Sequence, residues 1–201
     1  MKIGIIGAGH IGSSVATLFV QAGHKVEIAN SKGPESLTGV VAKLDGKVKA
    51  VTVEQAAKFG DVVLFAIPFG AFKDLGSLPL AGKIVVDATN AFSKTHDDSA
   101  PTSSEQVAKE FPEAKVVKAF NTLHYTYLIT DRKPDAAHDD RLALFVAGDD
   151  ADAKATVSQL IEEAGFAAVD TGSLAEGSRR QQSGTAVWNK KLTPAEAAKL
   201  L

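Results

Sequence analysis

The sequence predicts an α/β protein: a doubly wound parallel sheet with a small C-terminal α/β subdomain. Two observations carry that expectation. Apolar runs alternate with amphipathic helical patterns through the first 120 residues, with short connections, so successive strands run parallel through right-handed crossovers. Two of the runs, 61–67 (DVVLFAI) and 83–88 (KIVVDA), are almost continuously apolar, which a strand requires when helices cover both faces of its sheet.

Each element follows in order. Residues 2–6 (KIGII) form a strand that runs into a glycine loop. From His10 to Gln21, the residues Ile11, Val15, Leu18 and Phe19 recur at helical spacing, and Gly23 can close the helix. Residues 25–29 are a second strand. The stretch 34–44 opens on Pro34 and Glu35, a good first helical turn, because proline there gives up no hydrogen bond and the acid faces the positive end of the helix dipole. A weaker strand at 47–53 and a short helix at 53–59 precede the two apolar strands. Residues 103–111 read as a short helix with Ser103 or Ser104 as its cap, and 114–120 as a sixth strand. The stretch 121–140 is polar, turn-rich and aromatic, and yields no element. Beyond it, 141–148 reads as a strand, 149–165 as a capped helix ending at Gly165, 166–170 as a strand, and 172–201 as mostly helical.

The totals exclude several function classes. At 201 residues, 45% hydrophobic and 23% charged, the chain buries an ordinary core. A net charge of −2, with no block of like charge, gives no pull toward nucleic acid or an anionic membrane. There is no cysteine, which removes disulfides, thiolate metal sites and cysteine nucleophiles, and fits a reducing cytoplasm. The first apolar run is too short for a secretory signal, which needs roughly 7–15 apolar residues, and no stretch approaches the ~18 that span a bilayer. A cytoplasmic protein is expected.

The loop GAGHIG places Gly7, Gly9 and Gly12 in the G-x-G-x-x-G spacing, with Ala8, His10 and Ile11 between them. The match alone is weak, but a strand enters this loop and an amphipathic helix leaves it. In such a Rossmann turn Gly7 permits the tight bend, Gly9 lets backbone approach a pyrophosphate, and Gly12 packs helix on strand. The helix N-terminus offers its unpaired N–H groups to the phosphates. The other reading is a glycine-rich turn of some other α/β protein. His10 reads as a loop residue facing solvent or cofactor, not as a catalyst. The ribose-reading position lies about 20 residues beyond the glycines, at Asn30. An acid there would select NAD and repel a 2′-phosphate. Here Asn30, Ser31 and Lys32 offer a hydroxyl and a cation, which suits NADP. Read without a ligand, Ser31 and Lys32 are turn residues before Gly33 and Pro34.

With these motifs stand GDVVLFAIP, DATN, VVKAFNTL and LAEGSRRQQSG. Together with residues 3–37 they resemble the bacterial relatives of the NADPH:deazaflavin (coenzyme F-420) oxidoreductases, and also the cytosolic domain of six-transmembrane ferric reductases. The resemblance covers nearly the whole chain and is more convincing before Leu123. In NSKGPES a lysine stands where arginine is more usual, which implies a weaker grip on the phosphate, because lysine lacks the bidentate fork. The resemblance implies that Ala66, Ile67 and Pro68 line the nicotinamide-ribose side, and that Thr89, Asn90 and Asn121 sit near the nicotinamide. All lie at the carboxyl ends of strands, where open α/β sheets bind ligands. Taken singly, Pro68 is equally a strand stop, and Thr89 with Asn90 a turn. His124, Tyr125, Tyr127 and Trp188 read either as core or as an aromatic wall for a planar ring. Arg179 and Arg180 read as a solvated helix face or as a site for an acceptor's anionic group.

No Ser-His-Asp order, H-E-x-x-H or P-loop lysine stands out, and neither a metal site nor a certain catalytic side chain is expected. The expected protein has an NADP-binding domain at 1–122 and a small subdomain at 123–201 that closes over the nicotinamide. Its expected activity is hydride exchange between NADPH and a small-molecule acceptor, a deazaflavin or flavin. Flavin or metal-ion reduction and a non-catalytic NADP(H)-binding sensor are the alternatives, and a homodimer is the expected assembly.

Overall fold

The computed structural model describes residues 1–92 and 100–201. In chain order the elements are β1 (Lys2–Ile6), α1 (His10–Gln21), β2 (Lys25–Ala29), α2 (Thr38–Lys43), β3 (Val48–Ala50), α3 (Val53–Phe59), β4 (Val62–Phe65), β5 (Ile84–Asp87), α4 (Ser103–Glu110), β6 (Lys115–Lys118), α5 (Tyr125–Thr130), β7 (Ala143–Gly148), α6 (Ala151–Glu163), β8 (Ala167–Asp170), α7 (Leu174–Arg180) and α8 (Pro194–Ala197). A 3₁₀ turn at Pro34–Leu37 leads into α2, so the single helix expected from 34 is two short pieces.

All eight strands join one sheet in the order β3-β2-β1-β4-β5-β6-β7-β8. The six strands β1 to β6 are mutually parallel. β7 is antiparallel to β6, and β8 parallel to β7. The chain winds outward one way from β1 and the other way from β4, and this reversal opens a crevice at their carboxyl ends. The apolar strands are covered on both faces, as their continuous runs require. Ile3 and Ile5 of β1 pack with Val15, Leu18, Phe19 and Ile28, while Ile6 packs with Val63, Phe65, Val85 and Val107 on the other side.

The helix ends are fixed by side chains at most positions. Thr52 with Gln55, Thr102 with Glu105 and Thr193 with Glu196 form reciprocal capping boxes on α3, α4 and α8, each contributing on the order of 1 kcal/mol. The cap of α4 is therefore Thr102, not Ser103 or Ser104. Those two serines lie inside the helix, and their hydroxyls turn into the molecule toward Asp87.

Within 121–140 lies α5, which pattern alone did not mark. Its cap is His124, whose ring accepts from Thr126 N, and a single buried side chain, Leu128, anchors it. The tail is less helical than expected: α7 has seven residues and α8 four, with turns between. Gly177 sets α7 onto the sheet, because a Cβ there would lie 2.6 Å from Ala147 Cβ of β7.

Candidate functional site

The crevice between β1 and β4 is floored by the glycine loop, and its three glycines do three different things. Gly7 has φ +108°, and a side chain there would meet the Ala66 carbonyl at 2.2 Å. A Cβ on Gly12 would lie 1.8 Å from the Gly7 carbonyl. Gly7 is fixed by its left-handed bend against the end of β4, and Gly12 by the close packing of α1 on the loop. Gly9 is exposed, and a Cβ there would meet nothing within 4 Å. Ser13 Oγ ties the loop to the helix by donating to the Ala8 carbonyl. The helix it begins, α1, has no side-chain cap and no acid in its first turn, whereas α3 to α8 are all capped by side chains. The open surface over Gly9 and the uncapped N–H groups form a cradle for an anion, and a dinucleotide pyrophosphate fits it.

At the end of β2, Asn30 organises a turn. Its Oδ1 accepts from Lys32 N at 2.9 Å, and its amide donates to Ser36 Oγ at 2.9 Å. Its side chain is thus occupied by its own backbone segment, and Ser31 and Lys32 are left exposed at the corner. Among the described residues Lys32 makes no ion pair.

Ala66 and Ile67, half-buried, and exposed Pro68 follow β4 beside the glycine loop. A Cβ on Gly12 would lie 3.3 Å from Ala66 Cβ, so the Ala66 side chain faces α1. Thr89 and Asn90 follow β5, and Asn121 follows β6. The two asparagines are joined: Asn90 Nδ2 donates to the Asn121 carbonyl at 2.9 Å, and Asn121 Nδ2 donates to Asn90 Oδ1 at 3.1 Å and to the Gln181 carbonyl at 2.8 Å. Asn121 Oδ1 is buried without a hydrogen-bond partner among the described residues. The residue before it, Phe120, has φ +61°, a strained conformation for a bulky side chain, costing about 1–3 kcal/mol. It is held because the Phe120 ring is buried edge-on against Phe19, 5.7 Å away, while the backbone turns Asn121 the other way.

Beneath these turns is a buried ion pair that the sequence reading missed. Lys118 and Asp87, 2% and 0% exposed, are direct register partners on β6 and β5. Lys118 Nζ donates to Asp87 Oδ2 at 3.0 Å, to Ser103 Oγ at 3.0 Å and to the Thr89 carbonyl. Ser104 Oγ donates to the same carboxylate oxygen at 2.7 Å, and Thr89 N to Oδ1 at 2.9 Å. Burial alone would raise the Asp87 carboxyl, but the Lys118 ammonium and these donors outweigh it and hold it below the usual carboxylate range. Burial pushes the Lys118 ammonium down, and Asp87 partly restores it. The signal was present in the sequence: a lone charge inside each of two apolar runs, the Asp of IVVDA and the Lys of VVKAF, at strands that must be neighbours.

A cavity of about 270 Å³ lies beside the paired asparagines, lined among others by Ile11, Phe92, His124, Tyr125 and Trp188. Ile11 belongs to the glycine loop, so the cavity borders that loop. The His10 ring stacks on Tyr125 with centroids 4.2 Å apart and 13° between planes, a second bridge between loop and α5. Three of the four aromatic residues expected to form a wall thus meet here. Tyr127 does not line the cavity; its ring is edge-on to His124 at 5.9 Å and lies under Lys191 Nζ at 3.9 Å. Phe92, 78% exposed and edge-on to Trp188, lines the cavity as well. Arg179 and Arg180 are elsewhere: Arg179 bonds the Ala100 carbonyl and faces Glu105, and Arg180 bonds the Thr171 carbonyl. Among the described residues no cluster of three metal-ligating side chains exists, and no helix is long and apolar enough to cross a membrane.

Comparisons with known proteins agree with this geometry. Residues 2–91 match the family described as NADP oxidoreductase, coenzyme F420-dependent. A hypothetical protein of Sinorhizobium meliloti of known structure is 40% identical, with 96% of this chain and 95% of that one covered and a TM-score of 0.86. A candidate F420-dependent NADP-reductase of Arthrobacter sp. fb24 is 28% identical, over 96% of this chain and 99% of that one, with a TM-score of 0.73. The metalloreductase STEAP3 of Rattus norvegicus is 32% identical over 176 residues, 87% of this chain but 34% of that protein, so the chain spans about a third of this curated relative.

Proposed function

We propose that the chain, whose residues 2–91 match the coenzyme F420-dependent NADP oxidoreductase family, is a member of it and moves hydride between NADPH and a flat deazaflavin- or flavin-like acceptor. It is an NADP-dependent oxidoreductase; the acceptor is our reading. The observation that carries it is the aromatic-edged cavity joined through Ile11 to the glycine loop.

The residues divide the work by position. The loop of Gly7, Ala8, Gly9, His10, Ile11 and Gly12 receives the pyrophosphate on backbone N–H groups. Asn30 holds the turn that presents Ser31 and Lys32 to the 2′-phosphate. Ala66, Ile67 and Pro68 border the nicotinamide ribose, and Thr89, Asn90 and Asn121 the nicotinamide, with Asn121 Oδ1 left to accept from its carboxamide. Phe92, Tyr125 and Trp188 offer ring faces and edges to the acceptor, and residues 123–201 close this side of the site. NADPH, when bound, supplies the hydride, so the protein's share is orientation and exclusion of water. Among the described cavity-lining residues His124 alone carries an imidazole, and its ring nitrogen is engaged by Thr126 Oγ1 at 2.8 Å. A homodimer is proposed with this reading.

Anaerobic NADPH oxidation with a deazaflavin, free flavins and a ferric chelate tests it. Reduction of the deazaflavin or a flavin is the expected outcome. Direct reduction of the ferric chelate alone would support the metal-ion alternative, and tight NADPH binding with no acceptor reduced would make the protein a sensor and end the proposal.

A further inference from the structure

The buried ion pair is poorly explained as a source of stability. Removing an ammonium and a carboxylate from water is costly, and buried pairs are often no more stabilising than apolar residues of the same volume. Their bonds point to another use. Of the three N–H donors on Lys118, one goes to the Thr89 carbonyl; of the two Asp87 oxygens, one accepts from the Thr89 N–H. The pair therefore grips both backbone polar groups of one residue, the one that precedes Asn90. Asn90 in turn holds Asn121 through two side-chain hydrogen bonds, and Asn121 follows the strained Phe120. Neither Lys118 nor Asp87 borders the cavity.

We propose that Lys118, with Asp87, is a positioning residue for the reaction: the pair sets the turn of Thr89 and Asn90 and so fixes the paired Asn90 and Asn121 amides at the cavity edge. This rests on the reading of that edge as the nicotinamide side. The ion pair gives what a neutral turn would lack, a residue held by charge-assisted bonds at both its N–H and its C=O, one in each flanking peptide group, so that two short amide side chains keep one geometry. The serines serve the pair itself. Among the described residues the Ser104 hydroxyl bonds Asp87 and makes no hydrogen bond to Thr89.

Hydrogen exchange on the full chain, without ligand, tests the clamp directly. In Lys118→Met the Thr89 amide should exchange about a hundredfold faster than in the parent, while β1 and β4 amides change little. In Ser104→Ala the melting temperature should fall but Thr89 exchange should stay near the parent's. The double variant Asp87→Leu with Lys118→Met removes the unpaired charge; its stability should recover relative to Lys118→Met, but fast Thr89 exchange should persist. If Lys118→Met yields no folded protein, Asp87→Asn takes its place with the same expected direction. Single-turnover NADPH oxidation should slow about tenfold or more in the double variant, with NADPH affinity within about threefold of the parent. Parent-like Thr89 exchange in the double variant, or a hydride step that recovers together with stability, would overturn the inference. A parent that reduces no acceptor would end the functional reading instead, and the exchange result would still decide whether the pair sets this turn.

Discussion

The glycine loop and the paired strand ends at Asn90 and Asn121 lie on one edge of one sheet and are built from opposite materials. The loop is made by leaving side chains out: three glycines, an uncapped helix, and backbone N–H groups open to an incoming anion. The strand ends are made by filling the space below with charge, two ionised groups and two serine hydroxyls that never reach the surface. On the proposed function the difference follows from what each end would hold. A pyrophosphate brings its own charge and needs only preset dipoles. Two neutral amides need their backbone held for them.

The largest test of this contrast separates glycines of one motif. Gly12→Ala would drive a Cβ into the Gly7 carbonyl, and should destabilise the fold by about 3 kcal/mol or more, seen in a denaturant titration. Gly9→Val adds a larger side chain where nothing stands within 4 Å. It should leave the melting curve nearly unchanged and weaken NADPH about a hundredfold or more by calorimetry. Equal effects of the two on stability would mean that the loop is all packing and no cradle. Next in size is cofactor choice. Charge-assisted bonds of ~1.5–3 kcal/mol each predict a preference for NADPH over NADH of about ten- to hundredfold, and Lys32→Glu should abolish or reverse it. Similar dissociation constants for both cofactors in the parent would remove Lys32 from the site.

A smaller effect sharpens the other end. Trp188→Ala should slow acceptor reduction about tenfold with NADPH binding intact. His124→Ala should cost less than the ~10²-fold or more expected of a general acid. Stopped-flow rates that reverse this ranking would replace shape by proton transfer. Enlarging Ala66 is the poorer probe, because its side chain faces Gly12 and would disturb the loop too. The mildest effect is on pH. Asp87 is held below its ordinary range by Lys118 despite burial, so the unfolded chain, with its carboxyl near 3.9, binds more protons than the folded one across that window. The contribution of Asp87 is whole at neutral pH and is lost as pH falls below about 4. Thermal melts from pH 7 to 3 should drop more steeply for the parent than for Asp87→Asn; parallel curves would show that Asp87 is protonated in the fold.

What was legible in the sequence is what depends on local pattern. The strands and the larger helices follow from apolar periodicity, and the loop from glycine spacing beside a strand. Asn30, Ser31 and Lys32 were legible because they sit at a fixed distance from that loop. The pairing of Asn90 with Asn121 and the ion pair beneath it were not, because they join residues 31 apart across two strands. Ser103 and Ser104 look like caps by composition, and only the presence of Asp87 turns them inward. Tyr127 and Tyr125 are two residues apart on a one-and-a-half-turn helix, so they point to different sides, which a list of aromatics does not reveal.

The reversed strand β7 has a consequence for biosynthesis. Because β7 and β8 run against β1 to β6, the chain leaves β8 at the far edge of the sheet, and α7 must carry it back across. Only then does the Gln181 carbonyl meet Asn121, Ser183 Oγ meet the Ala91 carbonyl, and Asn189 N meet the Thr122 carbonyl. A ribosome releases β1 and the glycine loop before this returning segment. On the proposed reading the phosphate cradle is therefore made before the acceptor side, and the order of synthesis leaves that side unfinished until the returning segment has docked.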